Sequence, residues 1–349
     1  MTQAEVKSPG LMIIETRQRG SGVALILVVF LLALLIVIVY SLAYSVRVDH
    51  RLARNRADDL QVTEIAQAGL ELAKAMLRAD REENTHDWLG DNWAGHLAPV
   101  KIEGITLTVE IVDEDRKLNI NDLVPERTET QKKKQTVETV RKPVRERIAR
   151  AVEGLGLNVD ATQLLKDLQE RIDSERADAF GEDQSPFVGR PFHSLDELLE
   201  FESVKQTDLY GEGADDDLEG ILSIAGTGMV NVNTASKAIL LSLSDQMTGP
   251  VADAIIYRRE DLEGFTTVNQ LAEVSGISKE LLTELRRVMK TTSSVFSVTI
   301  RADHGEFHRT VRCLLQRGGT RIPLKPVLAP KVDDIQVLRW REGRGEWKR

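Results

Sequence analysis

The stretch QERIDSERADAFGEDQSPF, residues 169–187, gathers carboxylates around a single glycine. Asp173, Glu175, Glu182 and Asp183 bracket this loop. Carboxylates converging on a loop suit a hard cation such as calcium, which takes about six to eight oxygen ligands. The spacing is not that of an EF-hand, and a solvated acidic turn explains it as well. A second acidic stretch, GEGADDDLEG, has no fixed ligand spacing and reads as an exposed loop.

Other chemistry has no carrier. The six His residues are scattered without the His-Glu-x-x-His spacing of a zinc hydrolase, and there is no Cys pair for a metal. No Gly-x-Ser-x-Gly elbow or Walker loop occurs, and Gly226-Thr-Gly228 lacks the rest of a dinucleotide loop. The chain therefore reads as a non-enzyme. Cys313 is the sole cysteine, which excludes an intramolecular disulfide, and its alternating apolar surroundings suit a small buried hydrophobe.

VNVNTASKAIL opens a longer pattern of helix, turn, helix with Ile255-Ile256-Tyr257-Arg258, a Phe-x-x-Val-x-x-Leu stretch and a glycine turn. It resembles the helix-hairpin-helix units of DNA-binding proteins, whose hairpin offers backbone N–H groups to a phosphate. Here the first hairpin, Ser244–Pro250, has one glycine and carries Asp245. Val230–Lys290 holds 7 Lys/Arg against 8 Asp/Glu, a net of −1. Phosphate affinity needs a positive face. The whole chain has a formal charge of −9 and only 5% aromatics, so neither generic attraction to nucleic acid nor a base-stacking surface is expected.

These residues need elements to hold them. From Val23 to Val46 no residue is charged. A helix rises about 1.5 Å per residue, so about 20 residues cross a hydrocarbon core of about 30 Å. The run exceeds the apolar stretch of about 7–15 residues in a cleavable secretory signal. Lys7, Arg17 and Arg19 precede it and Arg47, Arg51, Arg54 and Arg56 follow, so flanking charge does not fix its orientation. No proline interrupts the chain from there to Ala79, and Ile65, Ala68, Leu72 and Met76 mark one apolar stripe. The spacing predicts one helix over Val23–Ala79.

Ile105, Leu107, Val109 and Ile111 alternate as in a half-buried strand. Val295–Arg301 and His308–Gln316 alternate likewise around the turn Asp303-His304-Gly305, and IQVLRWRE suggests a further strand. From about Pro125 to Thr292 the pattern is helical. Its basic segment, PERTETQKKKQTVETVRKPVRERIARAVEGLG, reads as a solvated helix with a loose start. The fold class expected is α+β: a long N-terminal helix on a small antiparallel sheet, with a helical domain inserted between sequence-distant strands.

In order, the Arg-Gly junction before VALILVV, IVDEDRKLNINDL, FGEDQSPF, FHSLDELLEF and VNVNTASKAIL resemble one family, general secretion pathway protein K. Its members are the largest minor pseudopilins of type II secretion systems. The resemblance implies a pilin-like helix and sheet with a large helical insert. It divides the chain into a leader (1–22), the helix (23–80), a first sheet part (81–124), the insert (125–292) and C-terminal strands with a tail (293–349).

The resemblance also implies removal of the leader by prepilin peptidase after a glycine, with N-methylation of the new terminus. Gly22 is favoured over Gly20, making Val23 the methylated residue rather than Ser21. Pilin-type subunits commonly carry Glu at the fifth mature position, whereas this chain has Leu27 there. A terminal subunit has no ammonium above it to neutralise, so a missing Glu suits a tip. Calcium as a structural cofactor, bound in the region of Asp173, Glu175, Glu182 and Asp183, is likewise an implication of the family. Gln184-Ser185-Pro186 departs from its usual pattern. The expected partners are minor pseudopilins I and J, prepilin peptidase and the bacterial inner membrane, with most of the chain in the periplasm and no nucleic acid bound. The alternatives are a membrane-anchored DNA receptor of the competence type and a minor pilin of a type IV pilus.

Overall fold

The computed structural model describes residues 21–94, 97–124, 134–157, 159–173, 189–211, 217–318 and 335–344. The chain divides into two compact units, Met1–Leu60 and Gln61–Arg349. Helix α1 (Ser21–Glu83) supplies the described part of the first and opens the second. In the first unit the apolar side chains from Val23 to Tyr40 are exposed on every side. This stretch has a mean hydropathy of 3.5, long and apolar enough to cross a membrane.

In the second unit β1 (Val100–Ile102) and β2 (Ile105–Asp113) form a hairpin. Its two-residue turn puts Glu103 at φ 51° and Gly104 at φ 88°, the left-handed pair that suits strand twist. There follow a 3-10 turn at Glu114–Arg116, β3 (Leu118–Asn119), helices α2 (Lys134–Leu155), α3 (Ala161–Asp173), α4 (Gln206–Leu209) and α5 (Leu218–Ile221), then β4 (Leu222–Ser223) and β5 (Val230–Asn231). Next come α6 (Lys237–Ser242), α7 (Gly249–Asp261), α8 (Lys279–Val288), β6 (Met289–Lys290), β7 (Val295–His304), β8 (Phe307–Arg317) and β9 (Ile335–Arg344).

One five-stranded sheet has the order β1-β2-β7-β8-β9, with every neighbouring pair antiparallel. Thus β2 and β7 lie side by side although the chain between Asp113 and Val295 leaves the sheet and returns. Ile105, Leu107, Val109 and Ile111 of β2 are buried, as their alternation predicts. The strands β7 and β8 run further than the sequence pattern does, and their turn shrinks to Gly305-Glu306.

The buried stripe of α1 differs from the expected one. Val62, Ala66, Ala73 and Leu77 face the sheet, while Leu72 is 41% exposed and Ala68 also faces out. Small residues explain the rotation. Ala66, Gly69 and Ala73 let the helix backbone approach the strands, and a Cβ on Gly69 would lie 2.7 Å from Ile300 Cγ2. Hydropathy gives weight to the larger side chains and misses this.

The insert has its own core. Leu118, Ile120, Leu123 and Val124, read from sequence with the sheet part, pack there beside Ile148, Leu164 and Leu168. Helix α2 is not simply solvated, because Ile148, Ala151 and Val152 are buried in this core. The Arg141 side chain donates to the Leu123 carbonyl at 2.8 Å. The region is also not wholly helical. Two short parallel pairs, β3 with β4 and β5 with β6, staple it, and two-residue strands are too short to leave a periodic signal.

Gly69→Ala should destabilise the chain by about 1–3 kcal/mol through overpacking against Ile300. Gly154, inside α2 with nothing within 4 Å of an added Cβ, is the control. Gly154→Ala should stabilise by about 0.4–1 kcal/mol. Denaturant unfolding of the detergent-solubilised chain compares them, and equal effects would refute the close packing at Gly69.

Candidate functional site

The N-terminal positions lie on α1 or just before it. Gly20 is outside the described residues, Ser21 and Gly22 open α1, and Val23 and Leu27 are 67% and 58% exposed. The first acidic residue of α1 is Asp49, so the fifth position after Gly22 carries no charge.

Of the four expected calcium ligands, only Asp173 is among the described residues; Glu175, Glu182 and Asp183 lie outside them. Asp173 ends α3, and its two oxygens already have partners. Arg141 Nη1 is 3.2 Å from Oδ1, and Gln169 donates to Oδ2. Its side chain is 52% exposed at a helix end. The chain closes across the loop's mouth where Arg190 N–H donates to the Ile172 carbonyl at 2.9 Å.

A larger polar assembly, missed in the sequence, lies where α1, the sheet and the insert meet. Arg317 at the end of β8 donates to Asp80 of α1 at 2.6 Å and pairs with Asp87. The same guanidinium donates to the carbonyls of Leu77 and Ser293, at 3.3 and 3.1 Å, and stacks over the Phe296 ring. Asp87 Oδ2 accepts the Ser293 N–H at 2.6 Å. Burial lowers the Arg317 pKa, but Asp87 and Asp80 outweigh it and leave it raised. Burial likewise raises Asp87 despite the opposing attraction of Arg317.

Asp80, Asp87 and Asp91 bring one oxygen each within 4.8 Å of one another. Asp80 and Asp87 pair with Arg317 in one cage, and donors already meet the oxygens of all three. Asn84 bridges Asp80 and Asp91, and Asp91 also accepts from the Trp88 N–H and the Trp93 indole. Burial pushes the Asp91 carboxyl up to about 6.

Next to the cage, Asp113 and Asp115 receive the insert. Asp115 pairs with Lys290 at 2.5 Å and accepts the N–H groups of Thr227 and Ser294 at 3.0 and 2.7 Å. Asn231 donates to Ser293 Oγ at 2.7 Å and to the Asp87 carbonyl at 3.1 Å. Thus IVDED and VNVNTA, far apart in sequence, meet in one buried joint. The signal available was their run of polar residues inside apolar patterns.

Asn233 points the other way, into the helix-hairpin-helix unit. Its carbonyl oxygen accepts the Phe265 N–H at 2.8 Å and its amide donates to the Phe265 carbonyl at 3.0 Å, which fixes the turn after α7. The first hairpin is occupied from within the chain. Arg150 of α2 donates to the Ser242 carbonyl at 2.9 Å and pairs with Asp245. A phosphate arriving there would meet a carboxylate.

Residues 226–290 match the family described as "Helix-hairpin-helix motif". Among curated proteins none matches the chain. Among solved structures, the chain is similar to one in the crystal structure of the GspK-GspI-GspJ complex from the type 2 secretion system of enterotoxigenic Escherichia coli. The TM-score is 0.59 at 16% identity, over 84% of this chain and 99% of that one. The two share a fold. It is α+β, with a long N-terminal helix, a five-stranded antiparallel sheet and the helix-hairpin-helix unit among further helices.

Arg317 is 6% exposed, so Arg317→Met would strand Asp80 and Asp87 as bare buried charges. The expected loss is about 3–5 kcal/mol of unfolding free energy. Urea or guanidinium titration measures it, and a loss below about 1 kcal/mol would contradict the cage.

Proposed function

We propose that the chain is a K-type minor pseudopilin of a type II secretion system, a structural subunit at the tip of the pseudopilus that helps initiate its assembly. The observation that carries this reading is the fold shared with nearly the whole of one chain from the GspK-GspI-GspJ complex. Two features support the tip position. The run after Gly22 has Leu27 where pilin-type subunits commonly carry Glu, and a buried unpaired carboxylate would cost several kcal/mol. The insert between β2 and β7 also adds bulk for which a close-packed shaft has no room.

On this reading α1 anchors the subunit in the inner membrane, with the second unit in the periplasm. Prepilin peptidase removes the leader after Gly22 and Val23 becomes the methylated terminus. Partners are the I- and J-type minor pseudopilins. The helix-hairpin-helix unit works as scaffold: Arg150 and Asp245 occupy its first hairpin, where a DNA receptor would present open N–H groups.

Co-expression with I- and J-type subunits and prepilin peptidase tests the reading. A ternary complex should survive purification in detergent, and intact mass should give a methylated chain beginning at Val23. A start at Ser21 would move the cut to Gly20. An unprocessed chain that binds no minor pseudopilin, but binds DNA with a log–log salt slope of several charges, would favour the competence-type receptor.

Calcium belongs to the same reading, held by Asp173 with Glu175, Glu182 and Asp183 once Asp173 turns from Arg141. A ligand that binds only the folded state raises the melting temperature. Calcium should therefore raise it, and Asp173→Ala with Glu182→Ala should abolish the rise. A wild-type melting curve unmoved by chelator and by added calcium would leave only a solvated turn.

A further inference from the structure

The carboxylates of the buried joint are unequally neutralised. Asp80 and Asp87 share Arg317, and Asp115 has Lys290. Asp113 lies among them, 1% exposed, and among the described residues no Lys, Arg or His forms an ion pair with it. It faces hydroxyls and amides instead. Oδ1 accepts the Asp115 N–H at 2.8 Å. Oδ2 lies 2.5 Å from Thr234 Oγ1, 2.6 Å from Ser293 Oγ and 3.4 Å from Asn231 Nδ2. The charged groups on the elements packed around it include Asp87 after α1, Glu114, Asp115 and Lys117 after β2, Lys290 of β6 and Arg317 of β8. The three cations are already engaged by Glu114, Asp115 and Asp87.

The site can hold either protonation state. With Asp113 ionised, the Thr234 and Ser293 hydroxyls donate to Oδ2. With a proton on Oδ2, that O–H donates to Thr234 Oγ1. The Thr234 hydroxyl then turns to the Asn231 carbonyl, 3.4 Å away, while Ser293 goes on donating. No acceptor is lost and no donor is stranded.

We propose that Asp113 is a protonation switch in the joint between sheet and insert. Neutral, it holds Asn231, Thr234 and Ser293 on the end of β2. Ionised, it puts an uncompensated charge beside Asp115 and Asp87 and loosens the joint. Burial, joined by repulsion from Asp115, pushes its carboxyl from the ordinary 3.8 up to about 6, against the hydrogen bonds from Ser293 and Thr234. A folded value above the unfolded one gives stability that is full below about pH 4 and is lost as pH rises through about 6. The joint therefore tightens in acid and slackens toward neutrality.

Asp91 and Asp122 are also pushed up to about 6, and burial raises Asp87 and Glu219 as well, so global stability mixes several groups and a local readout is needed. The N–H of Ser294, bound by Asp115, reports the joint directly, while that of Ser293 also feels Asp87, itself raised by burial. Hydrogen exchange on the full chain in detergent, corrected for intrinsic rates, should show Ser294 protection falling about tenfold from pH 5 to 7.5. Asp113→Asn should hold protection at its acid level throughout. Thr234→Val keeps the side-chain shape and removes both the bond Thr234 donates to the carboxylate and the one it accepts from the carboxyl. The first is charge-assisted and the stronger, so the midpoint should move upward. It supplies the test if Asp113→Asn fails to fold. Wild-type protection constant across this range, an unchanged pH dependence in Asp113→Asn, or a midpoint unmoved or lowered in Thr234→Val would each overturn the proposal.

Discussion

Arg317 ends β8 inside a cage made by Asp80, Asp87 and the carbonyls of Leu77 and Ser293, with the Phe296 ring against its face. Those groups come from α1, from the loop behind it, and from the chain returning out of the insert. Such a buried pair adds little net stability, because desolvation offsets the attraction, but losing one partner leaves a bare charge. Its contribution is to geometry. Placing Asp87 also places the Ser293 N–H and the Asn231 amide, and through them the entry and exit of the insert.

The insert is thereby joined to the sheet through polar contacts, while each side keeps its own apolar core. The helix-hairpin-helix unit lies on the insert's side of that division. Arg150 fills the first hairpin, and Asn233 and Arg259 bind the backbone around it, Arg259 reaching the carbonyls of Val232 and Ala235.

Much of this fold is legible in the amino-acid sequence. The alternation in β2 and the unbroken helical run of α1 are strong periodic signals, and they gave the α+β class and the insert between distant strands. The buried face of α1 departs from the hydropathy stripe because Ala66, Gly69 and Ala73 matter for how little space they take, which hydropathy does not weigh. The joint was not legible, since Asp87, Asp113, Asn231 and Arg317 come together only through the fold. Of the acidic loop, Asp173 alone is among the described residues, held by Arg141 and Gln169.

On the proposed reading the chain is a terminal subunit whose α1 meets neighbours from one end only. Crosslinking in sheared pseudopili distinguishes this from a place in the shaft. Single cysteines at exposed α1 positions such as Leu52 and Leu60 would be placed in a Cys313→Ala background, Cys313 itself being buried in the sheet core. Crosslinks to the I- and J-type minor subunits at filament ends are expected. Crosslinks to the major subunit, recurring along the shaft, would contradict it.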